Sequence, residues 1–207
     1  MEASPVRWND TTHVTHELNV MAASPIIVVT GLPASGKTSI ANCLHERLML
    51  PIASKDRFKE LLFDTLSWSD RAWSKRLDIA SAALLFQFLE GQAAVGRSCI
   101  IDHWFNSTDD IQRLVNVQSK YKVIIIQVLC YADGNILVDR FKERSLSGMR
   151  HPGHCDHLTF DEHRPILLSG RMKSLPSKGP LIELDTTDFD SIDFESVIKS
   201  TTNAMKT

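Results

Sequence analysis

The run PIIVVTGLPASGKTS, residues 25–39, constrains this chain more than any other stretch. Its first half is continuously apolar and rich in β-branched residues, which predicts a strand buried on both faces. Its second half, from Gly31, matches G-x-x-x-x-G-K-[ST] and leads into apolar residues at helical spacing, Ile40, Ala41, Leu44 and Leu48. Strand, glycine turn and helix in that order build an anion cradle. Gly31 and Gly36 free the backbone to aim its N–H groups inward, and the helix start adds a dipole that favours phosphate. Gly31, Pro33, Ala34, Ser35, Gly36, Lys37, Thr38 and Ser39 are therefore the expected nucleotide-binding residues. Lys37 would reach the β- and γ-phosphates of ATP, and the Thr38 hydroxyl would ligate Mg²⁺.

The rest of the chain continues the alternation of strand and helix. Apolar runs at 51–54, 98–102, 122–130 and 181–186 read as four further strands. Helical patterns fall at 56–66, near 70–95, at 107–119, 133–145, 160–170 and 190–205, with Pro165 expected to disturb the fifth of these. The section 146–158 reads as a loop rich in Gly, Pro and His. The expected fold class is α/β: a three-layer P-loop NTPase fold with a five-stranded, mainly parallel sheet, helices on both faces and a small lid at about 140–160. The chain has 207 residues, 43% hydrophobic and 23% charged, which suits one domain at 25–207 after a flexible polar tail at 1–24.

Charge and cysteine content narrow the setting. The net charge of −2 gives no basic excess, which disfavours a nucleic-acid partner held by phosphate contacts. The four cysteines, Cys43, Cys99, Cys130 and Cys155, follow no paired framework, and this fits a reducing, cytoplasmic protein. No run approaches the roughly 18 apolar residues that cross a membrane, and the N-terminus lacks the pattern of a secretory signal. Oligomeric state is not written in the sequence.

Nucleotide binding alone leaves several chemistries open. A GTPase would need an Asn-Lys-x-Asp or Thr-Lys-x-Asp guanine reader, and the fourth strand is followed instead by CYADGN, residues 130–135. An ATPase motor would carry a water-polarising Glu after a strand-terminal Asp, whereas Asp102 is followed by His103. Phosphoryl transfer to a second substrate is the reading that remains. It needs a proton acceptor and positive charge over the moving phosphate. Asp56, after the second strand, is the candidate base, with a helix N-cap as its ordinary alternative. Lys59 shares its helix face and is the candidate substrate contact. Asp102 is a candidate for Mg²⁺ or acceptor, against a structural cap. Trp104 could line an acceptor pocket or belong to the core. Arg140 and Arg144 lie four apart on one helix face, where arginines are commonly just solvated, yet here they precede the expected lid.

The segments GLPASGKTS, ASKDRFKELLFD, CIIDHWF and DRFKERSLSGMRHPGH together resemble the small AAA-type P-loop kinases. That group includes chloramphenicol phosphotransferase, zeta toxins and the kinase domain of polynucleotide kinases. The resemblance spans residues 25–200. It implies an ATP- and Mg²⁺-dependent kinase with Asp56 as general base and Lys59 on acceptor or phosphate. It also implies lid arginines, Arg140, Arg144 and Arg150, on the transferred group. The acceptor stays open: a hydroxyl of a small metabolite or antibiotic first, then a nucleoside, nucleotide sugar or polynucleotide 5′-hydroxyl. A nucleotide-sensing module without catalysis is the reading from another class.

One stretch, SGMRHPGHCDH at 147–157, admits two interpretations. His151, His154, Cys155 and His157 have the residue types of a zinc site, but lack a C-x-x-C partner or a helical i, i+4 His pair. As part of a lid, the stretch would use Gly148 and Gly153 as hinges and would bring Arg150 and the histidines to acceptor or phosphate.

Overall fold

The computed structural model describes residues 24–148 and 150–206. The tail expected at 1–24 therefore lies, Ser24 apart, outside the described residues. Five strands, β1 (Ile26–Gly31), β2 (Ile52–Ser54), β3 (Cys99–Asp102), β4 (Ile125–Tyr131) and β5 (Leu181–Asp185), form one sheet in the order β2-β3-β1-β4-β5. Every pairing is parallel. β1 and β3 are wholly buried and β4 nearly so, as their unbroken apolar runs require, while β5 alternates because it forms an edge.

The helices are α1 (Lys37–Leu48), α2 (Lys55–Leu66), α3 (Arg71–Ala94), α4 (Thr108–Tyr121), α5 (Gly134–Leu146), α6 (Asp156–Leu168) and α7 (Phe194–Ala204). They cover both sheet faces. Ile26, Val28, Cys99 and Ile101 pack against Leu85, Phe86 and Leu89 of α3 and Leu114 and Val117 of α4. On the other face Ile27, Val29, Ile100, Ile126 and Val128 meet Ile40, Ala41 and Leu44 of α1 and Val197 of α7. Each such fully buried aliphatic or aromatic side chain contributes about 1.5–3 kcal/mol. Cys99 and Cys130 belong to these interiors, and burial pushes both thiols up to about 12.

β3 lies between β1 and β2, so β2 is the other edge. Pairing order is set by long-range contacts that local pattern does not carry. The helix expected at 160–170 begins earlier, at Asp156, and runs unbroken through Pro165. Proline in the last turn removes one N–H, and the freed carbonyl belongs to Asp161, which is exposed to water.

α5 and α6 form a hairpin over the open ends of the strands. Its core is Leu137, Phe141 and Leu167, seated on Leu32 and Ala132. At its root the Ala132 N–H donates to the Gly170 carbonyl at 3.1 Å. Gly134 stands so close to α6 that a Cβ would lie 2.2 Å from the Leu168 carbonyl oxygen. The hairpin's tip is not a free loop. It contains a short 3-10 turn, Pro152–His154, and Gly153 meets the Phe63 ring of α2 where a Cβ would clash at 2.8 Å. His151 stacks on the same ring at 4.9 Å and His154 meets it edge-on at 5.3 Å.

Candidate active site

The phosphate turn takes the conformation its glycines permit. Gly31, Ala34 and Gly36 all have positive φ, at 156°, 64° and 74°, the kind of backbone that lets a turn present free N–H groups to an anion. Close packing holds it there. A Cβ on Gly31 would lie 2.3 Å from the Cys130 carbonyl oxygen, and one on Gly36 would lie 2.5 Å from Phe189. The Thr186 hydroxyl lies 3.0 Å from the Ser35 carbonyl and 2.9 Å from that of Tyr131, tying the turn to the end of β5. Lys37 is 9% exposed and makes no ion pair among the described residues, and its Nζ lies 3.5 Å from the Leu32 carbonyl. Burial lowers its pKa despite the attraction of Asp102 and Asp56. A desolvated ammonium without a close counter-ion is a site for an anionic ligand.

Asp102 ends β3 in register with Val29 and Ser54, so the sheet itself delivers it to the phosphate turn. Its Oδ2 accepts from the Thr38 and Ser54 hydroxyls, each at 2.9 Å. Its Oδ1 is buried and has no hydrogen-bond partner among the described residues. Burial raises the pKa of this carboxyl, with Lys37 and the Thr38 and Ser54 hydrogen bonds pulling the other way. An unsatisfied buried carboxylate oxygen beside a threonine hydroxyl fits a hard divalent cation such as Mg²⁺.

Asp56 lies in the first turn of α2 and does not cap it, since Ser54 holds the N-cap position. Arg150 donates to its Oδ2 at 2.9 Å across ninety-four residues of sequence. Arg150 Nε also lies 2.9 Å from Asp156, which accepts from Arg144 at 3.1 Å. Burial pushes the Asp56 carboxyl up, but Arg150, then His154, Lys37 and Lys55, outweigh it and hold it well below the usual carboxylate range. For Arg150, burial pulls the pKa down, yet Asp56 and Asp156 leave it raised. His154 completes the group, with Nδ1 3.2 Å from Arg150 and Nε2 2.9 Å from Glu60. Arginine only donates and carboxylate only accepts, so the neutral ring with its hydrogen on Nε2 satisfies both. Burial lowers the His154 pKa and so favours that neutral form, with the Glu60 hydrogen bond opposing.

This pairing makes a testable pH dependence. Asp56 has a depressed pKa in the fold, so its contribution to stability is present above its unfolded value of about 3.9 and is lost as pH falls through the folded value. Arg150→Met removes the largest opposing charge. The urea midpoint of the variant should lie below that of the wild type at pH 7, and the gap should close below about pH 4. A gap independent of pH would show that Arg150 acts through packing alone.

Asp56, Lys37, Asp102, Arg144, Arg150 and Trp104 all border one cavity of about 250 Å³ between the strand ends and the hairpin. Trp104 lies beside His163, ring centroids 5.8 Å apart, whereas Phe105 turns into the core. Lys59 borders the same cavity but is held by Asp78 at 3.0 Å. Arg140 is not part of the Asp56 group. It donates to the carbonyls of Thr186 and Thr187 at 2.8 and 3.0 Å and borders a second cavity, of about 340 Å³, beside Gly36, Thr38 and Ser39. Of the four zinc-type residues at 151–157, His151 and His154 are engaged by Phe63, Asp64 and Glu60. Among the described residues no group of three or more His, Cys, Asp or Glu is disposed to hold a metal. Sequence reasoning did not find Glu60, Asp78 or Asp156. The four-residue step from Asp56 to Glu60 on one helix face was the only local signal for any of them.

Comparison with known proteins bears on the family and the fold. Residues 26–163 match a family described as AAA domain. A search of curated protein sequences gives no match. Among solved structures, a Chloroflexus aurantiacus protein assigned as a kinase by inference is 36% identical, with a TM-score of 0.82, over 88% of this chain and 99% of its own. A gluconokinase from Sinorhizobium meliloti is 10% identical with a TM-score of 0.51, covering 89% and 92% of the two chains. The Mycobacterium tuberculosis APS kinase, in complex with AMPPNP and APS, is 12% identical with a TM-score of 0.53, covering 89% and 98%. The last two share the fold alone.

Proposed function

The chain belongs to the AAA-domain family and has a P-loop kinase fold, and from that membership we propose that it is an ATP-dependent kinase acting on a hydroxyl of a small molecule. One observation carries the reading: the phosphate-turn lysine, the strand-end Asp102 and an ionised Asp56 border a single cavity. A nucleotide laid on the turn would present its γ-phosphate to that cavity, with an acceptor on the far side beside Asp56. The hairpin of α5 and α6 is the lid, and the cavity beside Arg140 takes the rest of the nucleotide.

In the reaction the acceptor oxygen forms a bond to the γ-phosphorus as the bond to the β-phosphate oxygen breaks. Its proton passes to Asp56, and ADP departs with the bonding electrons. Lys37 offsets charge on the phosphates. Arg150 and Arg144, carried by the lid, move onto the transferred group, which frees Asp56 to receive the proton. Thr38 and Asp102 would hold Mg²⁺, which supplies charge neutralisation and fixes the phosphate oxygens. Trp104 and Lys59 contact the acceptor. The relative bound to AMPPNP and APS supports transfer from a nucleotide to a small molecule. The four free cysteines, with Cys99 and Cys130 sealed, support a cytoplasmic setting. Among the described residues no helix is long and apolar enough to cross a membrane.

The test is turnover with γ-labelled ATP and fractionated metabolite pools. A new labelled compound, formed over many turnovers and only when the acceptor fraction is present, is the expected result. ATP consumption at one rate with or without acceptor would make the protein a hydrolase. Binding with no consumption under any condition would make it a sensor.

A further inference from the structure

The acceptor side of the cavity holds more positive charge than it neutralises. Lys55 and Lys59 stand one turn apart on α2, and both donate to the same Oδ1 of Asp78 on α3. The two lysine side chains are only 12% and 9% exposed, whereas that of Asp78 is 45% exposed. Two nearly buried ammonium groups thus share one partly solvated carboxylate. Arg71, Ser74 and Lys75 lie on the same face of α3 as Asp78 and border the same cavity. Arg71 pairs with Glu162 of the lid. Lys75 is exposed and makes no ion pair among the described residues.

A neutral acceptor closing this space would strip water from two cations facing one anion, which is costly unless the charges are paired. An anionic oxygen group would instead complete the pairing and accept from several N–H donors at once. We propose that Lys55, Lys59 and Lys75 form a subsite for a carboxylate or phosphate on the acceptor, so that the substrate is a hydroxy acid or a phosphorylated alcohol. This rests on the kinase reading above.

The experiment fills the phosphate turn with AMP-PNP and Mg²⁺, then titrates inorganic phosphate and, separately, glycerate by calorimetry. Saturable binding with a Kd on the order of 1 mM is expected for one of the two. Preference for phosphate identifies a phosphorylated alcohol, and preference for glycerate a hydroxy acid. Lys59→Met should weaken that binding about tenfold. Lys75→Met, on an exposed helix face that tolerates change, should weaken it by roughly threefold. Asp78→Asn should tighten it, because the competing carboxylate is gone. A purely structural Lys59–Asp78 pair would lose binding in both variants, and that result overturns the proposal. So does normal AMP-PNP binding with no saturable binding of either anion, which leaves the kinase reading intact. Failure of AMP-PNP itself to bind removes the kinase reading and this subsite with it.

Discussion

Asp56→Asn should lower kcat by about 10²–10⁴ while leaving the affinity for AMP-PNP close to that of the wild type. Asparagine matches aspartate in size, and its carbonyl can still accept from Arg150, so the lid keeps an anchor. What disappears is the carboxylate that Arg150 and Lys37 help hold ionised. While Arg150 faces it, a carboxyl with so low a pKa is a weak base, and it becomes a better one as Arg150 moves onto the transferred group. It gains the proton after the acceptor oxygen has bonded to phosphorus, as a loose transition state allows. The wild-type kcat/KM, which reports the free enzyme with Arg150 still on Asp56, should therefore show no acid limb from Asp56 in the ordinary carboxylate range. Single-turnover rates and an AMP-PNP titration check the split. Loss of nucleotide affinity would make Asp56 structural, and an unchanged rate would move the base elsewhere.

Lys37→Met should cost about 3–4 kcal/mol of transition-state stabilisation, seen chiefly in kcat. The ligand-free protein should respond in the opposite direction. Lys37 is buried and its pKa is lowered, so the fold binds its proton less tightly than the unfolded chain does. That is a stability cost at every pH below the folded pKa, and it is relieved only as pH rises through it. Methionine fills similar space without the charge. Its melting temperature without nucleotide should equal or exceed that of the wild type, as expected where function is held at the expense of stability. A variant both inactive and markedly less stable would show that Lys37 supports the turn itself.

The parts of this site that sequence revealed are those set by local geometry. The phosphate turn is a backbone motif of a few residues, and its glycines betray the positive φ angles they adopt. Asp102 was legible because it ends an apolar run, and strand ends gather at one rim of a parallel sheet. The sequence could not place β2 at the sheet edge, because pairing order depends on which strands share helices across the whole chain. Nor could it choose among the arginines. Helical spacing put Arg140 and Arg144 on one face, but the carbonyls of Thr186 and Thr187, nearly fifty positions away, draw Arg140 aside. Arg150 reaches Asp56 from a turn that packs tightly on Phe63, where Gly153 leaves no room for a Cβ. Asp78 answers Lys59 from a different helix, a pairing that no period in the sequence encodes.

The hydrogen bond between Ala132 and Gly170 divides the molecule by what can vary. Everything from residue 134 to 168 leaves the sheet and returns to it through this one narrow neck. The ends of that excursion already meet, so lengthening or exchanging it adds little closure entropy and shifts no strand register. On the kinase reading the nucleotide side lies on β1, α1 and the end of β3, and the anion subsite proposed above lies on α2 and α3, all outside that excursion. A chain built this way can change how its cavity is covered while the residues beneath the cover stay in place.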